Sequence, residues 1–484
     1  MNLEKMKLIK GAFILTFGSV LSAFLFGLAG LIIARYLGPI NYGIFNAGIA
    51  LPSAFSLSFL IGIDDLMPRE VARKPDNLGD LLISALYPII VWITFLSIII
   101  IVVGYLMGYS TEIYNVMVIA LSIYVLRSFS LLIRSVMRGL ERMAFDVLIQ
   151  FSESLTAICL LLILLKISGS PLNAALAFSG SALLSVIIGG ILIKPFIVQT
   201  YHFNKELAKK IILESIPLLI MATLIAITTR IDVLILSSTV TNYEVGLYSS
   251  ALSVYFLVQP ISASFSASLL PTLSSTYKNE QTKFTEVWIN GLRFVIVLSI
   301  ILFILSFVYA DVIIKILFGE EYINAVPLLR ILSLTIGIKS TVLYLTKVLI
   351  SIYQQNLISI AFFSGLLITI VLSLSLVPFL GSRGVAWATV GREVFILALL
   401  IIFLQKKVPK VNIVKTLLLP LIAGLILFTI NLVFSGASIF SKLILLLFSV
   451  LIALIFLFIS GFFSPKEVQI LNSLVQKIIT KKSK

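Results

Sequence analysis

Apolar residues fill the chain in long runs, and short polar stretches separate them. A helix needs about 20 mostly apolar residues to cross a bilayer. Fourteen runs are candidates: residues 11–34, 42–63, 81–107, 114–136, 144–165, 172–193, 211–238, 244–266, 286–308, 324–350, 356–378, 384–404, 412–434 and 440–462. The ~10-residue alternating segments of a membrane β-barrel are missing from the pattern. The reading is an all-α integral membrane protein with about 14 transmembrane helices. After the last run, Ser464-Pro465-Lys466-Glu467 has the form of a capping box with Pro at the first helical position. Val468, Leu471, Leu474, Val475, Ile478 and Ile479 follow near helical spacing, with Lys477, Lys481 and Lys482 among them. This predicts a basic amphipathic helix over 464–484, lying on the inner leaflet.

The first two runs recur. With a constant offset of 203, Gly43 falls on Gly246, Ile44 on Leu247, Phe45 on Tyr248 and Pro68 on Pro271. The copies cover about residues 9–73 and 211–278. Six runs separate them, an even number, so both copies enter the membrane in the same direction. A repeat of that kind has its axis along the membrane normal. The expected organisation is an N-terminal six-helix lobe (1–200), a C-terminal six-helix lobe (201–410), an extra helix pair 13–14 (411–463) and the basic tail (464–484).

Composition agrees with a membrane protein: 60% of the 484 residues are hydrophobic, 12% are charged and the mean hydropathy is +1.15. A formal net charge of +15 suggests a nucleic-acid binder at first sight. In a membrane protein, Lys and Arg instead collect on the cytoplasmic side. With the N-terminus inside, 25 of the 36 basic residues fall in inward segments. Five fall in outward ones: Arg35, Lys166, Lys315, Arg383 and Lys442. The expectation is a multi-pass protein of the cytoplasmic membrane with both termini cytoplasmic and no nucleic-acid partner. Residues 11–34 are too long for the apolar core of a signal peptide and read as the first span. The longest stretches between spans, near 199–210, 267–285 and 309–323, leave no room for a soluble domain.

Enzyme signatures are missing. The sequence has no P-loop, no H-E-x-x-H and no G-x-S-x-G. One cysteine (Cys159) and one histidine (His202) exclude an intrachain disulfide and a multi-ligand His/Cys metal site. No catalytic residue, metal or cofactor is assigned. Asp64-Asp65 and Glu320-Glu321 sit at span ends and read as solvated charge. Charges inside spans carry more information, because each costs free energy and faces a bundle interior or an aqueous cavity. Arg127, Arg230, Arg330, Lys339 and Arg392 are the cations, with Arg293 placed to snorkel. Glu153, Asp232 and Glu393 are the acids. Either these groups pair between helices or they line a central cavity. A cavity with that excess of cations attracts an anion, and guanidinium forks fit phosphate oxygens. Arg127, Arg230, Lys339 and Arg392 are therefore the candidate substrate contacts. Glu153, Asp232 and Glu393 are the candidates for coupling to a proton or sodium gradient.

Arg35-Tyr36-Leu37-Gly38-Pro39, followed by Tyr42-Gly43-Ile44-Phe45, resembles the first-loop signature of polysaccharide flippases. These form the Wzx-type branch of the multidrug/oligosaccharidyl-lipid/polysaccharide exporter superfamily. Fourteen spans, with two six-span lobes and an extra pair, also resemble that family. The resemblance implies transfer of a lipid-linked oligosaccharide on polyprenyl pyrophosphate from the inner to the outer leaflet, by alternating access. It also implies membrane lipid and glycan-assembly proteins as partners, and a groove for the polyprenyl tail at spans 13–14. Two other readings compete. A multidrug or organic-cation exporter of the same superfamily needs an acidic cavity. A glycan polymerase or ligase needs a large outward loop.

Overall fold

Glycine decides where the first apolar run bends. In the computed structural model, helix α1 (Leu3–Ala54) holds the first two predicted spans as one helix, bent where Gly38 takes φ 67° and ψ 174°. A positive φ costs glycine little, and Pro39 follows at the first position of the new helical segment. Shifted by 203, Gly38 falls on Thr241, between α7 (Lys205–Thr239) and α8 (Asn242–Asn279). There the chain breaks fully, and Thr241 Oγ1 accepts from the Glu244 amide to start α8. The halves of α1 thus correspond to α7 and α8. The copies differ further on. The first is interrupted at Ile61 and Gly62, both at positive φ, before α2 (Ile63–Arg73). The second runs unbroken through Phe265, the register mate of Gly62, to Asn279.

The remaining helices are α3 (Leu78–Leu106), α4 (Thr111–Gly139), α5 (Met143–Ile167), α6 (Pro171–Ile193), α9 (Gln281–Val308), α10 (Ala310–Leu317), α11 (Val326–Ser351), α12 (Gln355–Leu380) and α13 (Ser382–Gln405). The structure describes residues 3–73, 77–197, 202–408, 419–420, 422–426, 428–429, 448 and 452. Among these residues, eleven helices are long and apolar enough to cross a membrane. The predicted count is higher because it divides α1 in two and includes spans 13 and 14. Those two spans lie almost wholly outside the described residues, and the predicted amphipathic helix over 464–484 lies outside them altogether. The stretch 309–323, expected as loop, is mostly ordered as α10 and a 3-10 segment, Glu320–Ala325.

The chain divides into two compact units. The first is Met1–Leu257, Ile314–Leu328 and Ser359–Arg392; the second is Val258–Ile313, Leu329–Ile358 and Glu393–Lys484. In the first, α1 packs on α4, α5 and α7. Its long helix α3 is apolar all round, so hydrophobicity alone does not select the face that packs. On α3, Leu78, Leu82, Ala85, Ile89, Ile93, Leu96, Ile100 and Gly104 are buried, while Tyr87, Val91, Phe95, Ile98 and Val102 are exposed. The exposed side is as apolar as the buried one, as a lipid-facing helix requires. Tyr109, between α3 and α4, bonds to the Ser237 hydroxyl (3.0 Å), and burial raises the pKa of its own hydroxyl. The Arg35 guanidinium donates to the carbonyls of Leu317 (2.9 Å) and Ile316, capping the end of α10. Tyr322 donates to the Ala34 carbonyl at 2.7 Å. In the second unit, Ser262 bonds Ser340 (2.7 Å), Tyr344 donates to the Trp288 carbonyl (2.9 Å), and Phe265 stacks on Phe294.

The closest approach in the first unit joins the two copies. A Cβ placed on Gly43 would overlap the Asn242 carbonyl, and one placed on Gly246 would overlap the Pro39 carbonyl. Pro39 and Asn242 are themselves 203 residues apart. The contact is therefore reciprocal, the signature of a two-fold relation between the elements in contact. Gly43→Ala and Gly246→Ala should each lower the thermal unfolding temperature of the detergent-purified protein sharply, at a cost of about 1–3 kcal/mol or more. Gly30→Ala should leave it nearly unchanged, since a Cβ there meets nothing within 4 Å.

Candidate functional site

Tyr42, Asn46 and Ile49 recur at intervals of four and three along α1, so they share one helix face. Ser249 and Leu252 on α8 are the register mates of Asn46 and Ile49. With Gly43 and Gly246 in contact, these faces meet at a cavity of about 300 Å³. It lies within the first unit and is walled by α1, α4, α6, α7 and α8. Three pairs of equivalent positions line it: Gly30 and Val233, Asn46 and Ser249, Ile49 and Leu252.

Charge breaks that symmetry. The charged side chains lining the cavity are Arg127 from α4 and Arg230 from α7. The register mate of Arg230 is Gly27, so the first copy leaves open the position where the second places a cation. Arg127 Nε donates to Glu153 Oε1 at 2.6 Å. Its guanidinium lies 4.8 Å from the Phe26 ring centre, 5.6 Å from that of Phe178 and 6.0 Å from that of Tyr124. The Arg230 guanidinium lies 5.7 Å from the Phe256 ring centre. Among the described residues, no carboxylate forms an ion pair with Arg230. Aromatic faces hold both guanidinium groups without neutralising them; a cation–π contact is worth about 0.5–2 kcal/mol. The result is a partly apolar chamber carrying net positive charge.

The other predicted site residues are placed elsewhere. In the first unit, Arg392 Nη1 donates to the Thr228 carbonyl (3.0 Å) and lies 3.4 Å from Asp232 Oδ1. Asp232 Oδ2 also accepts from Tyr248 (3.1 Å) and Thr389 (3.0 Å). In the second unit, Lys339 Nζ lies 3.1 Å from Glu393 Oε1 and 3.3 Å from Oε2, and Glu393 has no exposed surface. Neighbouring residues on a helix point about 100° apart, and Arg392 and Glu393 accordingly serve different partners. Arg127 and Arg230 line the cavity and Glu153 adjoins it through Arg127. Arg392, Asp232, Lys339 and Glu393 do not line it.

Two features escape a reading of the sequence. Asp146 is buried in the first turn of α5 and pairs with Arg134 and Arg138 of α4. The spacing of four between the two arginines, across a tight turn from an acid, is the available signal. The polar cavity residues Tyr42, Asn46, Ser249 and Ser253 carry no charge, and of these the repeat register pairs only Asn46 with Ser249. Removing one member of a buried ion pair strands the other charge, at a cost of about 3–5 kcal/mol. Lys339→Met and Glu393→Leu should therefore each lower the unfolding temperature strongly, and the double variant should recover most of the loss in a double-mutant cycle read by thermal unfolding.

The sequence profile of the family described as "Polysaccharide biosynthesis protein" matches residues 8–277. No curated protein matches the chain. Among solved structures, the fold resembles "Lipid II flippase MurJ, inward closed conformation", at 19% identity and a TM-score of 0.75, covering 93% of this chain and 99% of that one. It also resembles a multidrug resistance MATE family transporter of the MOP superfamily in an inward-facing conformation, at 15% identity and a TM-score of 0.62, covering 79% and 94%. A MOP superfamily transporter from Pyrococcus furiosus, described as having a reverse polarity of its binding pocket, matches at 14% identity and a TM-score of 0.56, covering 83% and 94%. The architecture is that of a multi-pass membrane transporter, and the chain belongs to the polysaccharide biosynthesis protein family.

Proposed function

We propose that the protein moves a lipid-linked oligosaccharide, carried on a polyprenyl diphosphate, across the cytoplasmic membrane during assembly of a surface glycan. One observation carries the reading: among the described residues of this chain from a polysaccharide biosynthesis family, the charged side chains that line the cavity are arginines. In a low-dielectric chamber such cations favour an anionic group, and a diphosphate offers oxygens that guanidinium forks can hold in pairs. Arg230, without a carboxylate partner among the described residues, is the principal anchor. Arg127, shared with Glu153, is the second. Lys339 and Arg392, first candidates for the same role, act as structural cations that neutralise Glu393 and Asp232. The lipid tail remains in the bilayer, with spans 13–14 as its track.

Both termini lie in the cytoplasm in this reading, and the two lobes alternate access about the axis between the repeats. Coupling to a proton or sodium gradient is assigned to Glu153, whose partner lines the cavity. The exporter of organic cations is disfavoured, because such a substrate would meet two guanidinium groups and, among the described residues, no lining carboxylate. The test is flipping of a lipid-linked oligosaccharide in proteoliposomes, with and without an ion gradient. Arg230→Ala should reduce the rate by at least about tenfold, the value of one lost charge-assisted hydrogen bond, and Arg127→Ala should do so by a similar factor. Wild-type rates in both variants would contradict the reading.

A further inference from the structure

We infer that the cavity reads the identity of the sugar attached to the diphosphate, through a polar ledge formed by Asn46 and Ser249. The inference rests on the proposed function and names a specificity site within it. The two residues occupy the same register position in the two copies, 203 residues apart, and both line the cavity. Each is more than nine-tenths buried, Asn46 at 8% exposure and Ser249 at 3%. Asn46 Nδ2 donates to the Tyr42 carbonyl at 2.8 Å, which fixes the amide plane. The Asn46 side chain also meets the Tyr42 hydroxyl, and no bond to its amide oxygen is made among the described residues; the Ser249 hydroxyl is buried without a partner among them. A buried polar group without a partner costs free energy, so the Ser249 hydroxyl, set at the cavity wall beside the Asn46 amide, points to a ligand that supplies its partner.

The neighbourhood identifies the class of ligand. Tyr42 and Ser253 bond to each other at 3.1 Å beside the ledge. Phe45 and Phe256 add apolar faces to the same chamber. Hydrogen-bonding groups set between aromatic faces suit a pyranose ring, which has hydroxyl edges and C–H faces. Ligand cavities run from about 300 to 1,000 Å³, so this one, at about 300 Å³, holds a single sugar rather than an oligosaccharide. The sugar next to the phosphate is the one that Arg230 would bring here. The acceptor on Asn46 favours a sugar presenting a donor, a hydroxyl or the N–H of an acetamido group. The ledge is thus assigned to specificity and the arginines to affinity.

Binding by the full-length protein in detergent micelles separates these roles. Two probes are used: a short-chain polyprenyl diphosphate, and the same lipid bearing one N-acetylhexosamine. The wild type should bind the sugar-bearing lipid more tightly. Asn46→Ala and Ser249→Ala should each weaken that binding by about 3–10-fold while leaving the bare diphosphate lipid unchanged. That unchanged value also reports a folded cavity. Arg230→Ala should weaken both lipids together. If the alanine variants at Asn46 and Ser249 keep the wild-type ratio between the two lipids while Arg230→Ala weakens both, the ledge is refuted and the proposed function stands. If Arg230→Ala weakens neither, the proposed function itself fails.

Discussion

The reciprocal contact of Gly43 with Gly246 is the constraint on which the site depends. Two helices can bring their backbones this close only where neither carries a side chain. The approach puts the face of α1 bearing Tyr42, Asn46 and Ile49 beside the face of α8 bearing Ser249 and Leu252. The cavity is a consequence of that crossing: tight at the glycines and open one turn further along each helix. Because the contacting residues are register mates, the chamber inherits a two-fold frame. Its chemistry then departs from the frame, most of all where Arg230 stands opposite Gly27 in register.

Electrostatics sorts the buried charges into two kinds. Asp232, Asp146 and Glu393 are satisfied by hydroxyls or cations fixed on neighbouring helices. Such groups add specificity to packing and little net stability, since desolvation offsets much of the attraction. Arg127 and Arg230 differ. They face a cavity, rest on aromatic rings and together hold one carboxylate, Glu153. That residual positive charge is what the first unit maintains at this cavity in preference to a neutral core.

Much of this was legible before any coordinates. The apolar runs predict the helices because membrane spans must satisfy their backbone internally, and runs 3 to 12 each match a helix. Gly43 and Gly246 were visible as a repeat, though their contact was not, because an offset in sequence does not say which copies touch. The candidate cations were visible as a set. Their division into cavity and structural residues was not, because that depends on which helix supplies each partner. Arg392 and Glu393 illustrate the limit: adjacent in sequence, they belong to different ion pairs. The bend at Gly38 and the helical order of 310–325 depend on tertiary partners such as Arg35 and Tyr322, which local pattern does not contain.

The central claim is the sign of the cavity's ligand. The direct measurement is competitive binding to the purified protein, read by native mass spectrometry, with a lipid-linked diphosphate oligosaccharide and an organic dication offered together. Retention of the anionic glycolipid, lost in Arg230→Ala, is the predicted result. Retention of the dication with exclusion of the glycolipid would contradict the account.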